Sequence, residues 1–235
     1  TEGAPIVGSG LIAVRDVGAF LREKSAKNPC GSGFERAYAY GVSQTGRMLR
    51  HFMYLGLNVD EQGRRVFDGM LPHVAGARRG EFNHRFAQPS VHSVPGFCHL
   101  FPFADKTTID PFSGEQSGLL DRLRERDAVP KIVYTNTSAE YWRGDASLVH
   151  VDPSGKFDLE SSSDTRIYHF SGTQHAPGSV PQTFGDPNEG SRGRYGFNVV
   201  DHAPLLRAAL MNLDRWVKDG IDPPPNKHPR LDTGT

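Results

Sequence analysis

The chain has 235 residues, of which 37% are hydrophobic and 23% are charged, which suffices for one sizeable core or at most two small domains. Its 27 Lys and Arg residues balance its 27 Asp and Glu residues, so the charge indicates neither nucleic acid nor an acidic membrane surface as a partner. The sequence has no run of about 18 apolar residues, so no transmembrane helix is predicted. Two cysteines, Cys30 and Cys98, are too few for a disulfide framework.

The elements predicted in the first third of the chain surround a glycine-flanked serine. Residues 9–26 place their apolar side chains close to a single stripe, which predicts a helix. The segment FERAYAYG, residues 34–41, alternates as a short strand, and QTGRMLRHFMYLG, residues 44–56, follows at helical spacing. The segment RRVFDGMLPHVAG, residues 64–76, predicts a second strand.

After the second strand, the pattern predicts a long loop and then further helices and strands. Residues 77–118 are irregular and rich in Gly, Pro, His and Phe, which predicts a lid-like insertion. The later elements are, in chain order, a helix over 117–130, a strand over 131–138, a strand within 164–175, a loop over 176–195, an amphipathic helix over 200–220 and a proline-rich tail over 221–235. Strands that alternate with helices favour a mostly parallel, doubly wound α/β sheet, whose active site lies at the carboxyl ends of its strands.

The first predicted strand runs into GVSQTG, residues 41–46, which is close to the turn that carries the nucleophile of serine hydrolases. That turn commonly reads G-x-S-x-G, and here the second glycine comes one residue later. Gly46 would still let the helix pack closely on the strand, and the N–H of Gln44 would face a developing oxyanion at the positive end of the helix. The alternative is that Ser43 is only the N-cap of an ordinary helix.

An acid and a histidine follow the ends of two later strands. The segment TNTSAEYWRGDASL offers Glu140 and Asp145 as the acid, and Glu140 is the preferred candidate because it lies nearer to the strand. In HFSGTQHAPGS, His175 follows the last predicted strand and lies in a loop. Ser43, Glu140 and His175 therefore come in the chain order nucleophile, acid, base, which is the order of the α/β-hydrolase triad.

This arrangement predicts a serine esterase that needs no cofactor. His175 would remove the hydroxyl proton of Ser43 as the oxygen attacks an acyl carbon, and would then protonate the leaving group. Glu140 would hold the imidazole in its working tautomer, and water would release the acid in a second step. The alternative function is a catalytically silent α/β domain that only binds a ligand.

Other residues allow further interpretations. The segment RRGEFNHRF predicts part of a substrate pocket. The candidate pocket residues are Asn83, His84, Arg85 and Trp142. A metal site is conceivable around the histidines of the long loop, but the spacing matches no metal-binding motif, so no metal is expected. An N-terminal Thr1 nucleophile would require layered antiparallel sheets, which the alternating pattern contradicts.

Four segments carry a resemblance to a known family. The first runs from GVSQTGRMLRHFMYLGLN to QPS, residues 41–90. The other three are NTSAEYWRGDASL, SGTQHAPG and LLRAALMNLDRWVKDGIDPPP. These segments resemble the large bacterial and fungal "α/β hydrolase domain-containing" family, and the resemblance covers nearly the whole chain. It implies a serine esterase acting on a small-molecule ester. The offset G-x-S-x-x-G also resembles the nucleophile turn of glucuronoyl esterases, which act on carbohydrate-linked esters.

The same resemblance implies how the domain is completed. Family members are considerably longer, and their additional part precedes the nucleophile turn. The resemblance therefore implies that residues 1–235 are the C-terminal part of a single α/β-hydrolase domain that lacks its N-terminal strands. An upstream segment or a companion chain would then complete the sheet and supply a second oxyanion N–H.

Overall fold

A computed structural model describes residues 8–80, 82, 100–186 and 191–235. Its helices are α1 (Ser9–Arg22), α2 (Gln44–Tyr54), α3 (Asp121–Arg124), α4 (Ser138–Arg143) and α5 (Ala203–Asp219), with a 3-10 helix over Ala146–Val149. Its strands are β1 (Tyr38–Val42), β2 (Gly69–His73), β3 (Thr108–Ile109), β4 (Gln116–Ser117), β5 (Lys131–Thr137), β6 (Thr165–Phe170), β7 (Gly185–Asp186) and β8 (Ser191–Arg192). No helix among these described residues is both long enough and apolar enough to cross a membrane.

The centre of the fold is a four-stranded parallel sheet in the order β1, β2, β5, β6. Strand β2 is buried at every position and β5 at all but its first, as is typical of parallel strands covered on both faces. One face packs against α2 through Phe52 and Met53, which are fully buried. The other face packs against α5 through Leu213 and Trp216. This arrangement confirms the prediction of a parallel α/β sheet with helices on both faces.

Two predicted helices are shorter than expected. Helix α1 ends at Arg22 rather than at residue 26, because the buried Asn28 side chain donates hydrogen bonds to the carbonyls of Phe20, Leu21 and Glu23. Of the helix predicted over 117–130, only Asp121–Arg124 is α-helical. The chain turns at Asp127, whose φ of 49° lies in the left-handed region.

The predicted loops contain short elements that periodicity did not indicate. Two-stranded antiparallel hairpins form from β3 with β4 and from β7 with β8. The rest of the lid predicted over 77–118 includes residues 81 and 83–99, which lie outside the described residues. The proline-rich tail pairs with β6: the N–H of Lys227 donates to Ile167 O at 2.9 Å, and the N–H of His169 donates to Lys227 O at 2.7 Å.

Candidate active site

Ser43 lies in a sharp turn between β1 and α2. Its backbone has φ 55° and ψ −114°, a conformation that L-residues rarely adopt. A Cβ atom on Gly41 would come within 2.6 Å of the Thr45 carbonyl oxygen, and one on Gly46 would come within 3.0 Å of the His73 carbonyl oxygen. A side chain at position 41 would thus clash with the backbone, and one at position 46 would force β2 and α2 slightly apart, so the late second glycine lets α2 pack closely against the end of β2.

The structure brings Ser43, Glu140 and His175 together. His175 Nε2 lies 2.9 Å from Ser43 Oγ, and His175 Nδ1 lies 2.6 Å from Glu140 Oε1. A carboxylate can only accept a hydrogen bond, so Nδ1 carries the imidazole proton and Nε2 accepts from the serine hydroxyl. This is the tautomer in which the histidine can act as a base toward Ser43.

Helix α4 fixes the position of Glu140. Thr137 is its N-cap, and Glu140 at the third helical position completes a capping box with it. Glu140 Oε2 accepts hydrogen bonds from the Thr137 N–H at 2.8 Å and from the Thr137 hydroxyl at 2.5 Å. Burial raises the pKa of Glu140, but the hydrogen bonds from His175 and Thr137 outweigh it and hold the pKa below its usual value. Glu140 is therefore an ionised carboxylate at neutral pH.

The loop after β6 carries His175 and is anchored to α4. Gly172 has φ 72°, and its N–H donates to Ser138 Oγ at 3.1 Å. Asn198 Nδ2 donates to the Gly172 carbonyl at 2.7 Å. The His175 side chain keeps 47% of its surface exposed, whereas that of Glu140 keeps 6%. A substrate can thus reach the serine–histidine side of the group but not the carboxylate.

Two buried histidines lie beside these residues. His73 accepts the Ser43 N–H through its carbonyl, its Nδ1 lies 2.8 Å from Thr135 Oγ1, and its Nε2 lies 3.3 Å from Nε2 of His202. Burial, followed by the charge of His202, lowers the pKa of His73 to about 4. His73 is therefore neutral at pH 7 and adds no positive charge next to His175. Sequence reasoning missed His202, because 129 positions separate it from His73 and no local pattern links them.

The other predicted site residues lie in different surroundings. Asp145, the alternative acid, forms an ion pair with Arg78 at 2.8 Å. Gln44 is the first residue of α2. Trp142, expected in the pocket, is 87% exposed on α4. Asn83, His84 and Arg85 lie outside the described residues. Within the described ranges, no three His, Cys, Asp or Glu side chains are grouped so that they could hold a metal ion.

A family model described as "Alpha/beta hydrolase domain" matches residues 10–235, which is nearly the entire chain. No significant match was found among curated proteins or among solved structures.

Proposed function

The chain belongs to the α/β-hydrolase domain family, and from this premise we propose that it is a serine hydrolase that cleaves a carboxylic ester through an acyl-enzyme intermediate. One observation carries the proposal: a single imidazole lies within hydrogen-bond distance of a serine hydroxyl on one side and a buried carboxylate on the other. This is the arrangement that nucleophilic catalysis by serine requires.

The first step is acylation of Ser43. The Ser43 hydroxyl donates to His175 Nε2, so the imidazole takes the proton as Oγ attacks the acyl carbon. The imidazolium that forms is held by Glu140, whose charge is retained because Thr137 and His175 both donate to it. His175 then gives the proton to the departing alcohol, and the acyl group remains on Oγ.

The oxyanion of the tetrahedral intermediate is expected near the start of α2. Gln44 is the first residue of α2 and directly follows Ser43, so its backbone N–H lies at the amino-terminal end of the helix. The positive end of the helix dipole favours negative charge at the same place. We assign the Gln44 N–H as one oxyanion donor.

The second step is deacylation. Water replaces the alcohol, His175 takes a proton from that water, and the hydroxide attacks the acyl carbon. The carboxylic acid leaves as Ser43 Oγ recovers its proton from His175. None of these steps uses a metal or an organic cofactor.

Active-site labelling tests this proposal. A fluorophosphonate probe incubated with the folded protein should modify Ser43, and mass spectrometry of the digested protein identifies the labelled residue. Ser43→Ala should remove the label, whereas Ser32→Ala, a change at an exposed serine in the turn before β1, should leave it unchanged. Absence of any label on Ser43 in folded protein would refute the enzyme assignment and favour the catalytically silent binding domain.

A further inference from the structure

Arg47 lies one helical turn beyond Ser43. Its N–H donates to the Ser43 carbonyl at 2.9 Å, so about 6 Å of helix axis separates the two residues. Its guanidinium is influenced by the charge of Arg78. Arg78 in turn donates to Asp145 and to the Arg143 carbonyl, both in the segment at the end of α4. Arg47 therefore follows the candidate nucleophile by one turn of α2, and Arg78 is close enough for its charge to act on it.

Arg47 has no anionic partner within the described part of the chain. No carboxylate there forms an ion pair with it, and its Nε is buried without a hydrogen-bond acceptor. Burial lowers the pKa of Arg47, and the like charge of Arg78 lowers it further. Asp145, the carboxylate of this region, is bound by Arg78 at 2.8 Å. A half-buried cation next to a second cation is costly unless an anion compensates it.

Two further arginines add positive charge on the same side of the sheet. Arg50 is fully buried and its guanidinium donates to the carbonyls of Ala77 and Phe103. Arg79 is 4% exposed, donates to His51 Nδ1 and to the Phe101 carbonyl, and stacks over Tyr54 at 3.6 Å. Neither forms an ion pair with a described carboxylate. Arg50 Nε and Nη1 and Arg79 Nε are also buried without an acceptor, but these two residues are almost inaccessible, whereas Arg47 is only partly buried. Of these three arginines, Arg47 is therefore the one that a ligand can reach.

We propose that Arg47 binds an oxyanion carried by the ester substrate, so that the enzyme prefers esters bearing a carboxylate, sulfonate or phosphate group. This inference rests on the proposed function. A planar guanidinium matches such groups through paired N–H donors, and an anion there would compensate both Arg47 and Arg78. Because Arg47 follows Ser43 by one helical turn, the anionic group would belong to the same substrate molecule as the ester cleaved at Ser43.

Paired substrates test the proposal in a catalytic experiment. The first pair is para-acetoxybenzoate with para-acetoxybenzamide, and the second is para-acetoxybenzenesulfonate with para-acetoxybenzenesulfonamide. Each pair keeps the acetyl ester and exchanges a charged substituent for a neutral one of similar size, and the change in the ratio of their kcat/KM values from wild type to Arg47→Gln corrects for the different leaving groups. The wild-type kcat/KM should be higher for the charged member. Arg47→Gln should lower it by about 10- to 100-fold for the charged member and by less than about 3-fold for the neutral one. Arg47→Lys should restore part of the difference.

The two pairs also identify the oxyanion. Preference for the benzoate alone indicates a carboxylate ligand, and preference for the sulfonate as well indicates a site that accepts any oxyanion. Arg207→Gln is the matched control, because Arg207 is an exposed arginine on α5, across the sheet from Arg47. It should leave all four values unchanged. Equal rates within each pair, or an equal loss for charged and neutral esters in Arg47→Gln, would overturn the proposal.

A binding measurement keeps this inference separate from the proposed function. Para-acetamidobenzoate and para-acetamidobenzenesulfonate replace the ester by an amide, and calorimetric titration of the Ser43→Ala protein measures their affinity without turnover. At least one anionic amide should bind at least about 10-fold more tightly than para-acetamidobenzamide, and Arg47→Gln should remove the difference. If fluorophosphonate does not label Ser43 but this difference in affinity is found, the anion site is supported and the esterase function is refuted. If labelling succeeds and no difference is found, the anion site fails and the esterase stands.

Discussion

Glu140 and Asp145 are neighbouring carboxylates that accept hydrogen bonds from different side chains. Glu140 accepts from His175 Nδ1, whereas Asp145 accepts from Arg78 Nε. An amide at position 140 would present an N–H to Nδ1 as readily as an oxygen, which favours the wrong imidazole tautomer. An amide at position 145 would weaken the ion pair to Arg78 and leave the contact between Glu140 and His175 in place. The two positions therefore test which carboxylate orients the histidine.

We expect Glu140→Gln to lower kcat by about 10³- to 10⁴-fold and Asp145→Asn to lower it by less than about 10-fold. The measurement is steady-state hydrolysis of a para-nitrophenyl ester, with circular dichroism of each variant as the control for folding. Full activity in Glu140→Gln together with loss in Asp145→Asn would reverse the assignment of the acid.

The candidate site could be located from the sequence through residue order alone. Ser43, Glu140 and His175 were each predicted from a strand end, and the structure brings their side chains together although 132 positions separate the first from the last. Their catalytic role remains a prediction. The contact of His202 with His73 could not be predicted, because it depends on how distant segments pack and His202 lies in no recognisable motif.

At the level of elements, Asn28 determines where α1 ends. Its side-chain amide is buried and donates to three carbonyls of the last helical turn, while its Oδ1 accepts from the Cys30 N–H at 2.9 Å. The Phe20 carbonyl also accepts from the Glu23 N–H, so the amide mainly supplies donors for the Leu21 and Glu23 carbonyls at the helix end. The periodicity of apolar residues indicates the stripe but not this cap, so the predicted helix continued to residue 26.

Asn28→Ala should lower the free energy of unfolding by about 1 to 3 kcal/mol, because it removes the donor to the Leu21 and Glu23 carbonyls and the acceptor of the Cys30 N–H, all of which are partly buried contacts. Urea titration followed by circular dichroism measures the change. Lys27→Ala is the matched control, since Lys27 is exposed and adjacent, and it should alter stability by less than about 0.5 kcal/mol. An equal effect of the two substitutions would contradict the capping role of Asn28.

The long elements were predictable, and the short ones were not. Helices α2 and α5 and strand β5 have strong patterns over many residues, and the predictions for them are confirmed within a few positions. Helix α4 has six residues, too few for periodicity to act on. The T-x-x-E pattern that begins at Thr137 is typical of a capping box and does not depend on helix length, so it could have indicated this helix.

At the level of the whole molecule, the alternation of strands and helices sufficed to predict the parallel sheet. Parallel strands need a crossover connection, so an alternating order limits the architecture before any contact is known. The alternating order does not restrict the structure within the connecting loops. The hairpins β3–β4 and β7–β8 and the pairing of the tail with β6 were therefore not predicted. That the chain is the C-terminal part of a larger domain stays a prediction.

Buried histidines make the stability of the molecule depend on pH. His150 is buried, with Nε2 3.0 Å from the Tyr141 hydroxyl and its ring stacked on His228 at 4.0 Å. Burial, followed by the charge of His228, lowers the pKa of His150 to about 3, and the pKa of His73 is about 4. In the unfolded chain both groups have a pKa of about 6.5. The low pKa of Glu140 acts in the same direction.

Between pH 6.5 and pH 4 the unfolded chain therefore binds protons that the folded chain does not, and stability falls as pH falls. His73 and His150 should each remove about 2 kcal/mol of unfolding free energy between pH 7.5 and pH 5. Urea unfolding at the two pH values measures this loss. His150→Gln can keep a hydrogen bond to Tyr141 but cannot titrate, so its loss should be smaller than that of the wild type by about 2 kcal/mol, whatever its absolute stability. An undiminished loss in His150→Gln would mean that His150 does not govern the acid sensitivity.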